Sequence, residues 1–208
     1  MFAAIAVLAL GIGGVAGWVN ERLGAQLPRL DAATALLDQA KPVPRFSLVD
    51  DQGRAFDNAR LDGRWSFMFF GYTHCPDICP ATLSTLNTAM RAVGKQGGAA
   101  DTQVVFVSVD PRRDTPATLE DYVKFFNPAF TGVTGSQREL IHLTRELGII
   151  HTTLSYPQGA DNYLVDHSAS ILLIDPEGKL AAVFSVPHRA QTIASDFHKL
   201  RSYYDERG

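Results

Sequence analysis

The chain has 208 residues, a formal net charge of −3 and 46% apolar residues. That is enough for a domain with its own core, and nothing in it is basic enough to mark a nucleic-acid binder. Only two cysteines occur, and both fall in one ten-residue stretch.

From Phe2 to Val19 there is no charged residue. At about 1.5 Å rise per residue such a run spans roughly 27 Å, close to the hydrocarbon core of a bilayer. Trp18 stands at its end, where interfacial aromatics gather. The run predicts a single-pass membrane anchor over residues 1–19, with a cleaved signal peptide as the rival reading. Gly13 and Gly17 are spaced as in membrane-helix pairs that approach closely. Residues 20–41 are mostly polar and read as a tether with room for one short helix. Residues 42–208 form the domain.

Within the domain, Arg45 to Val49 alternates, Asp51-Gln52-Gly53 turns and Arg54 to Phe56 returns, which predicts a hairpin. Ser66-Phe67-Met68-Phe69-Phe70 reads as a buried strand. The stretch Gly71-Tyr72-Thr73-His74-Cys75-Pro76-Asp77-Ile78-Cys79-Pro80 follows it, and then an amphipathic helix with Leu83, Leu86, Met90 and Val93 inward. Val104 to Val107 is a second buried strand. Asp110 to Pro116 comes next, with Thr115 as cap and Pro116 at the first position of a helix carrying Leu119, Tyr122, Val123 and Phe126. Ser136 and Glu139 have capping-box spacing before Leu140, Leu143 and Leu147. After a polar stretch, Ser170 to Ile174 and Lys179 to Ser185 predict a hairpin, and a helix with Ile193, Phe197, Leu200 and Tyr204 inward closes the chain. Strands alternating with helices and ending in a hairpin imply an α/β fold: a thioredoxin-like mixed sheet flanked by helices, with an added N-terminal β-hairpin.

The chemistry sits where the first buried strand hands over to a helix, the usual ligand position in open α/β sheets. Residues four apart in a helix or helix-entry turn lie on one face, so the Cys75 and Cys79 sulfurs can meet. A helix amino end lowers a thiol's pKa, and thiolate is both nucleophile and metal ligand. The pair is therefore a redox dithiol or a soft-metal site. Three residues separate the cysteines, against the two usual in thioredoxin-type redox motifs, which favours the metal. A nearby imidazole would extend the choice of metal. His142, His151, His188 and His198 read as structural or surface residues. His74 adjoins Cys75 and reads as a tuner of its pKa. His167 precedes the strand at Ser170, which in such sheets enters beside the active turn, so Cys75, Cys79 and His167 make an S₂N set. Asp166 could orient the His167 ring. Asp110 and Asp114 end the neighbouring strand on the cysteine side, as helix-end carboxylates or as electrostatic control of the site.

Three segments together resemble the Sco/SenC family of membrane-tethered copper proteins: residues 71–80, Ser-Val-Asp-Pro-Arg-Arg-Asp-Thr-Pro at 108–116 and Val-Asp-His-Ser-Ala at 165–169. The resemblance covers roughly residues 42 to 205 and places the family's copper ligands on Cys75, Cys79 and His167. It implies a thioredoxin-like domain tethered to the inner membrane and facing the periplasm, or the mitochondrial intermembrane space in a eukaryote. It also implies a metallochaperone that holds Cu(I) or Cu(II) and helps assemble the dinuclear copper centre of cytochrome c oxidase. Its partners would be the copper-bearing oxidase subunit, a copper donor and a thiol reductant. Two other readings stay open: a thiol–disulfide oxidoreductase acting on a partner's cysteines, and a thiol peroxidase using Thr73 beside Cys75.

Overall fold

Trp65–Gly71 (β4) is buried along its whole length, because Phe67 and Phe69 face one layer of the core while Met68 and Phe70 face the other. A strand apolar on both faces belongs in the middle of a sheet covered on both sides, and the rest of the fold is laid out around it. The structure is a computed structural model that describes residues 28–35, 40–149, 151–155, 163–167 and 169–206. The expected anchor lies outside the described residues, and no helix among those described is long and apolar enough to cross a membrane.

The elements in chain order are β1 (Ala33–Ala35), β2 (Ser47–Asp50), β3 (Ala55–Asp57), β4, α1 (Ile78–Lys95), β5 (Thr102–Ser108), α2 (Pro116–Phe126), β6 (Thr131–Thr134), α3 (Gln137–Glu146), β7 (His151–Ser155), β8 (Tyr163–His167), β9 (Ile171–Ile174), β10 (Leu180–Phe184) and α4 (Ala190–Asp205). Among the described residues, eight strands form one mixed sheet in the order β1-β10-β9-β4-β5-β6-β2-β3, and β7 and β8 pair separately. β4, β5 and β6 are parallel, β9 runs antiparallel to β4, and β10 runs antiparallel to β9. The predicted hairpins β2–β3 and β9–β10 both form.

One core layer joins β4 and β5 to Leu83, Leu86 and Val93 of α1, Leu119 and Val123 of α2, and Ile193, Phe197 and Leu200 of α4. Trp65 meets Phe197 and Tyr204 edge-on, with centroids 5.6 and 5.2 Å away. The other layer sets Met68, Phe70, Val105 and Val107 against Leu140 and Leu143 of α3 and Phe46, Leu48 and Phe56 of the first hairpin. Thr115 caps α2 through its side chain, with Pro116 in the first turn. Ser136 caps α3 as expected, but Glu139 does not return to it; its carboxylate accepts from the Ser47 N–H at 3.3 Å and ties α3 to the hairpin.

Part of the span expected as a tether joins the sheet. Ala33–Ala35 pairs antiparallel with β10, and Asp196 of α4 fixes the segment. The Asp196 carboxylate is fully buried and accepts from the N–H groups of Asp31, Ala32 and Ala33 at 2.7–3.0 Å. Burial works to raise its pKa, but those three N–H groups and Lys199 hold it below the usual carboxylate range. Asp196→Ala is expected to lower stability by about 2 kcal/mol in urea unfolding, the scale of losing charge-assisted hydrogen bonds. Because the folded-state pKa is depressed, the wild-type contribution is present above the ordinary carboxylate pKa and is lost as pH falls through the folded value. The gap between wild type and variant should therefore close in acid.

Candidate metal centre

The site starts from the end of β4. Gly71 is the last ladder residue, opposite Ser108, and the Val109 N–H donates to its carbonyl at 2.9 Å. The chain then turns, with the Cys75 N–H donating to the Tyr72 carbonyl at 3.2 Å, and α1 begins at Ile78. Cys75 thus lies in the entry turn and Cys79 in the first helical turn, beside Pro80. Cys79 is fully buried, Cys75 is half-buried, and no disulfide joins them.

The two thiols are hydrogen-bonded to each other. That bond, followed by burial, pushes the Cys79 thiol well above its ordinary pKa, against a Tyr72 backbone N–H that acts to lower it. The helix amino end predicts the opposite direction. It is overridden because a second sulfur and the carboxylate of Asp114 stand nearby in a dry site, and both disfavour another negative charge.

Asp114 is the residue whose role the sequence left open, and it is the clamp on this turn. It is fully buried. It accepts from the Thr73 N–H at 2.9 Å, from the Thr73 hydroxyl at 2.6 Å and from the Ser108 hydroxyl at 2.6 Å. The end of β5 thereby grips the cysteine turn. Since the Thr73 hydroxyl gives its proton to Asp114, it accepts from His74 Nδ1, 3.0 Å away. This sets the His74 tautomer and leaves its Nε2 as the lone-pair nitrogen on an exposed ring. The Asp110 carboxylate pairs with Arg113, whose guanidinium lies 5.6 Å from the centre of the Tyr72 ring.

Helical spacing predicts only a core position for Tyr122 of α2. Its hydroxyl is buried without a hydrogen-bond partner. Burial, and then the nearby Cys79, Cys75 and Asp114, push its pKa up. Its ring packs on Phe106 at 5.5 Å. The hydroxyl thus lies within the electrostatic reach of both sulfurs, a placement that helical periodicity cannot reveal.

His167 closes β8 and so stands at a strand end, not in a loop. The chain passes from it into β9, whose first residue, Ile171, pairs with Phe69 two residues before Gly71. β9 therefore begins at the rim where the cysteine turn leaves the sheet, four residues after residue 167. The side chains of His167 and Asp166 lie outside the described residues. Among the described side chains no group of three or more His, Cys, Asp and Glu is arranged to hold a metal ion. Of the remaining histidines, His142 is exposed on α3. His198 Nε2 is buried without a partner, and burial lowers that ring's pKa.

The profile of the SCO1/SenC family matches residues 34–202. The mitochondrial SCO2 homolog of Bos taurus is 33% identical over 195 residues, which is 93% of this chain and 72% of that protein. A putative copper-binding protein of Stutzerimonas stutzeri is 35% identical over 161 residues, 74% of this chain and 78% of the relative. Among solved structures, copper-bound ScoI of Arabidopsis thaliana superposes with a TM-score of 0.72 at 34% identity, covering 78% of this chain and 100% of that one. Copper-bound yeast Sco1 gives 0.71 at 30% identity, covering 76% and 87%.

Proposed function

The chain belongs to the SCO1/SenC family, and on that premise we propose that it is a membrane-tethered copper carrier whose ligands are Cys75, Cys79 and His167. The observation that carries this reading is the meeting of two thiols at the rim of the sheet, one fully buried, in a turn clamped by Asp114. The donor chemistry fits the cargo. Thiolates select Cu(I), and an imidazole beside them makes Cu(II) acceptable as well.

Copper bound in relatives of this chain, such as the Arabidopsis and yeast proteins, supports the same cargo. We assign the protein to delivery of copper to the dinuclear centre of cytochrome c oxidase. Its partners are the copper-bearing subunit, a copper donor and a thiol reductant. The soluble domain works outside the inner membrane, in the periplasm or the mitochondrial intermembrane space. The reductant is needed because the same two sulfurs can join as a disulfide, which cannot hold the ion.

The test is the copper spectrum of wild type beside His167→Ala. Wild type loaded with Cu(II) is expected to show a thiolate-to-copper charge-transfer band that the variant loses. An unchanged band would remove His167 from the ligand set.

The second reading, a thiol–disulfide oxidoreductase, is favoured by the hydrogen bond between the two thiols, which already holds the sulfurs together for oxidation. It predicts that His167→Ala keeps full reductase activity. The Thr73 hydroxyl, committed to Asp114 and His74, gives no support to peroxidase chemistry.

A further inference from the structure

Ile171, the first residue of β9, is flanked on both sides. Phe69 of β4 is its register partner on one side and Phe184, the last residue of β10, on the other. The ladder between β4 and β9 stops at that row. Two residues further along stand Gly71 at the end of β4 and Ala169 on the segment that enters β9. Gly71 abuts the dithiol, since a methyl there would stand 2.6 Å from the Cys79 sulfur. The register, carried on by two residues, sets Ala169 level with Gly71, and residue 167 comes two positions before it. Whatever holds Ala169 there decides how the chain arrives from β8.

A histidine supplies that hold. In the loop between β10 and α4, Ser185, Val186, Pro187 and Arg189 are exposed and only His188 is half-buried. Its Nε2 is 2.7 Å from the carbonyl oxygen of Ala169. A carbonyl only accepts, so Nε2 donates and Nδ1 carries the lone pair. That Nδ1 is buried and has no hydrogen-bond partner among the described residues. An unmet buried acceptor is destabilising, so a histidine is a poor choice here if packing is its only task. The one hydrogen bond the ring makes ties the loop after β10 to the segment that follows residue 167.

We propose that His188 is a positioning residue for the copper centre: its N–H holds the Ala169 carbonyl and so fixes the strand entry that presents residue 167 to the cysteine turn. The proposal rests on the carrier reading for the role of His167 as a ligand. The bond acts on the histidine arm of the site alone. Cys75 and Cys79 are carried by β4 and α1, and their turn is clamped from β5 by Asp114. Thiolates suffice for Cu(I), whereas Cu(II) calls on the imidazole beside them. Loss of the bond is therefore felt by Cu(II) and not by Cu(I).

Two variants of the full-length protein in detergent separate the bond from the ring. His188→Phe keeps a ring and loses the donor; His188→Gln loses the ring and keeps an N–H that reaches as far as Nε2 does. In the metal-free reduced protein, amide exchange at residues 169–171 should quicken about five- to tenfold in the Phe variant, the scale of one lost hydrogen bond. Its Cu(II) affinity should fall about 10- to 100-fold and its thiolate-to-copper charge-transfer band should weaken, as when groups that orient metal ligands are removed. Its Cu(I) affinity, measured against a chelator, should stay at the wild-type value. The Gln variant should match wild type in all of these. Wild-type exchange or a wild-type Cu(II) band in the Phe variant, an equal loss of Cu(I) and Cu(II), or a folded Gln variant that fails as the Phe variant does would overturn the proposal. Should the Phe variant not fold, His188→Ala takes its place under the same criteria. If His167→Ala loses the band and the His188 variants keep it, this proposal falls and the carrier reading stands. If wild type takes up neither Cu(I) nor Cu(II), the carrier reading falls and this proposal with it.

Discussion

Cys79→Ser is expected to abolish stoichiometric Cu(I) binding, lowering affinity by at least about a thousandfold, or roughly 4 kcal/mol at 1.4 kcal/mol per tenfold. The size follows from what is lost. A soft thiolate is replaced by an oxygen that does not give up its proton near neutral pH and that soft ions bind poorly. Nothing else at this position compensates, because Cys79 is fully buried against the core and its sulfur is the one that Cys75 meets. Cys75→Ser should behave alike, and both should abolish any thiol–disulfide activity. Metal must displace the proton that the hydrogen bond with Cys75 and burial hold on Cys79, so wild-type affinity should fall as pH falls, by about tenfold per unit for each proton displaced. Competition with a Cu(I) chelator on reduced protein measures both effects. A serine variant that still holds one Cu(I) at near wild-type affinity would end the dithiol assignment, and circular dichroism of the same sample shows whether the fold was kept.

What the sequence made legible is what local chemistry dictates. Residues 66–70 are apolar on both faces, so the central strand and the helix after it could be read directly, and so could Thr115 and Pro116 at the head of α2. The cysteine pair was legible because two sulfurs in one Pro-flanked turn have few other uses. β6 was missed because Thr131-Gly132-Val133-Thr134 is short and carries a glycine where Leu119 of α2 packs down. A Cβ on Gly132 would lie 2.9 Å from the Leu119 Cβ. β1 and the β7–β8 ladder were missed for a related reason: β1 is three small or polar residues paired with a strand about 150 residues away, and β7 and β8 are short strands that pair only with each other. The same holds for the two buried carboxylates. Asp114 and Asp196 look like ordinary helix-associated acids, and only their contacts at separations of 41 and about 165 residues make one a clamp on the cysteine turn and the other an anchor for β1.

Gly71→Ala should disable the centre without touching a ligand. A methyl on residue 71 would stand 2.6 Å from the Cys79 sulfur and 2.8 Å from Cε2 of Phe106. Carbon atoms do not approach that closely in a packed interior, so something must move. Phe106 cannot give way easily: it is fully buried, with Phe69 at 6.0 Å and Tyr122 at 5.5 Å from its ring centre. The backbone of residue 71 is also held, by its ladder partner Ser108 and by the Val109 N–H. The sulfur is left to shift, and with it the hydrogen bond to Cys75 and the first turn of α1. Overpacking of this kind costs about 3 kcal/mol, read as a drop in the urea midpoint. The displaced sulfur should weaken Cu(I) binding by about 10- to 100-fold, comparable to disturbing the groups that orient metal ligands. Gly94→Ala is the control. Its methyl would meet only the Ala99 Cβ at 3.5 Å, an ordinary contact, and α1 should gain about 0.5–1 kcal/mol from the exchange. If both variants bind copper and resist urea as wild type does, the close approach of Gly71 to Cys79 has no part in shaping the site.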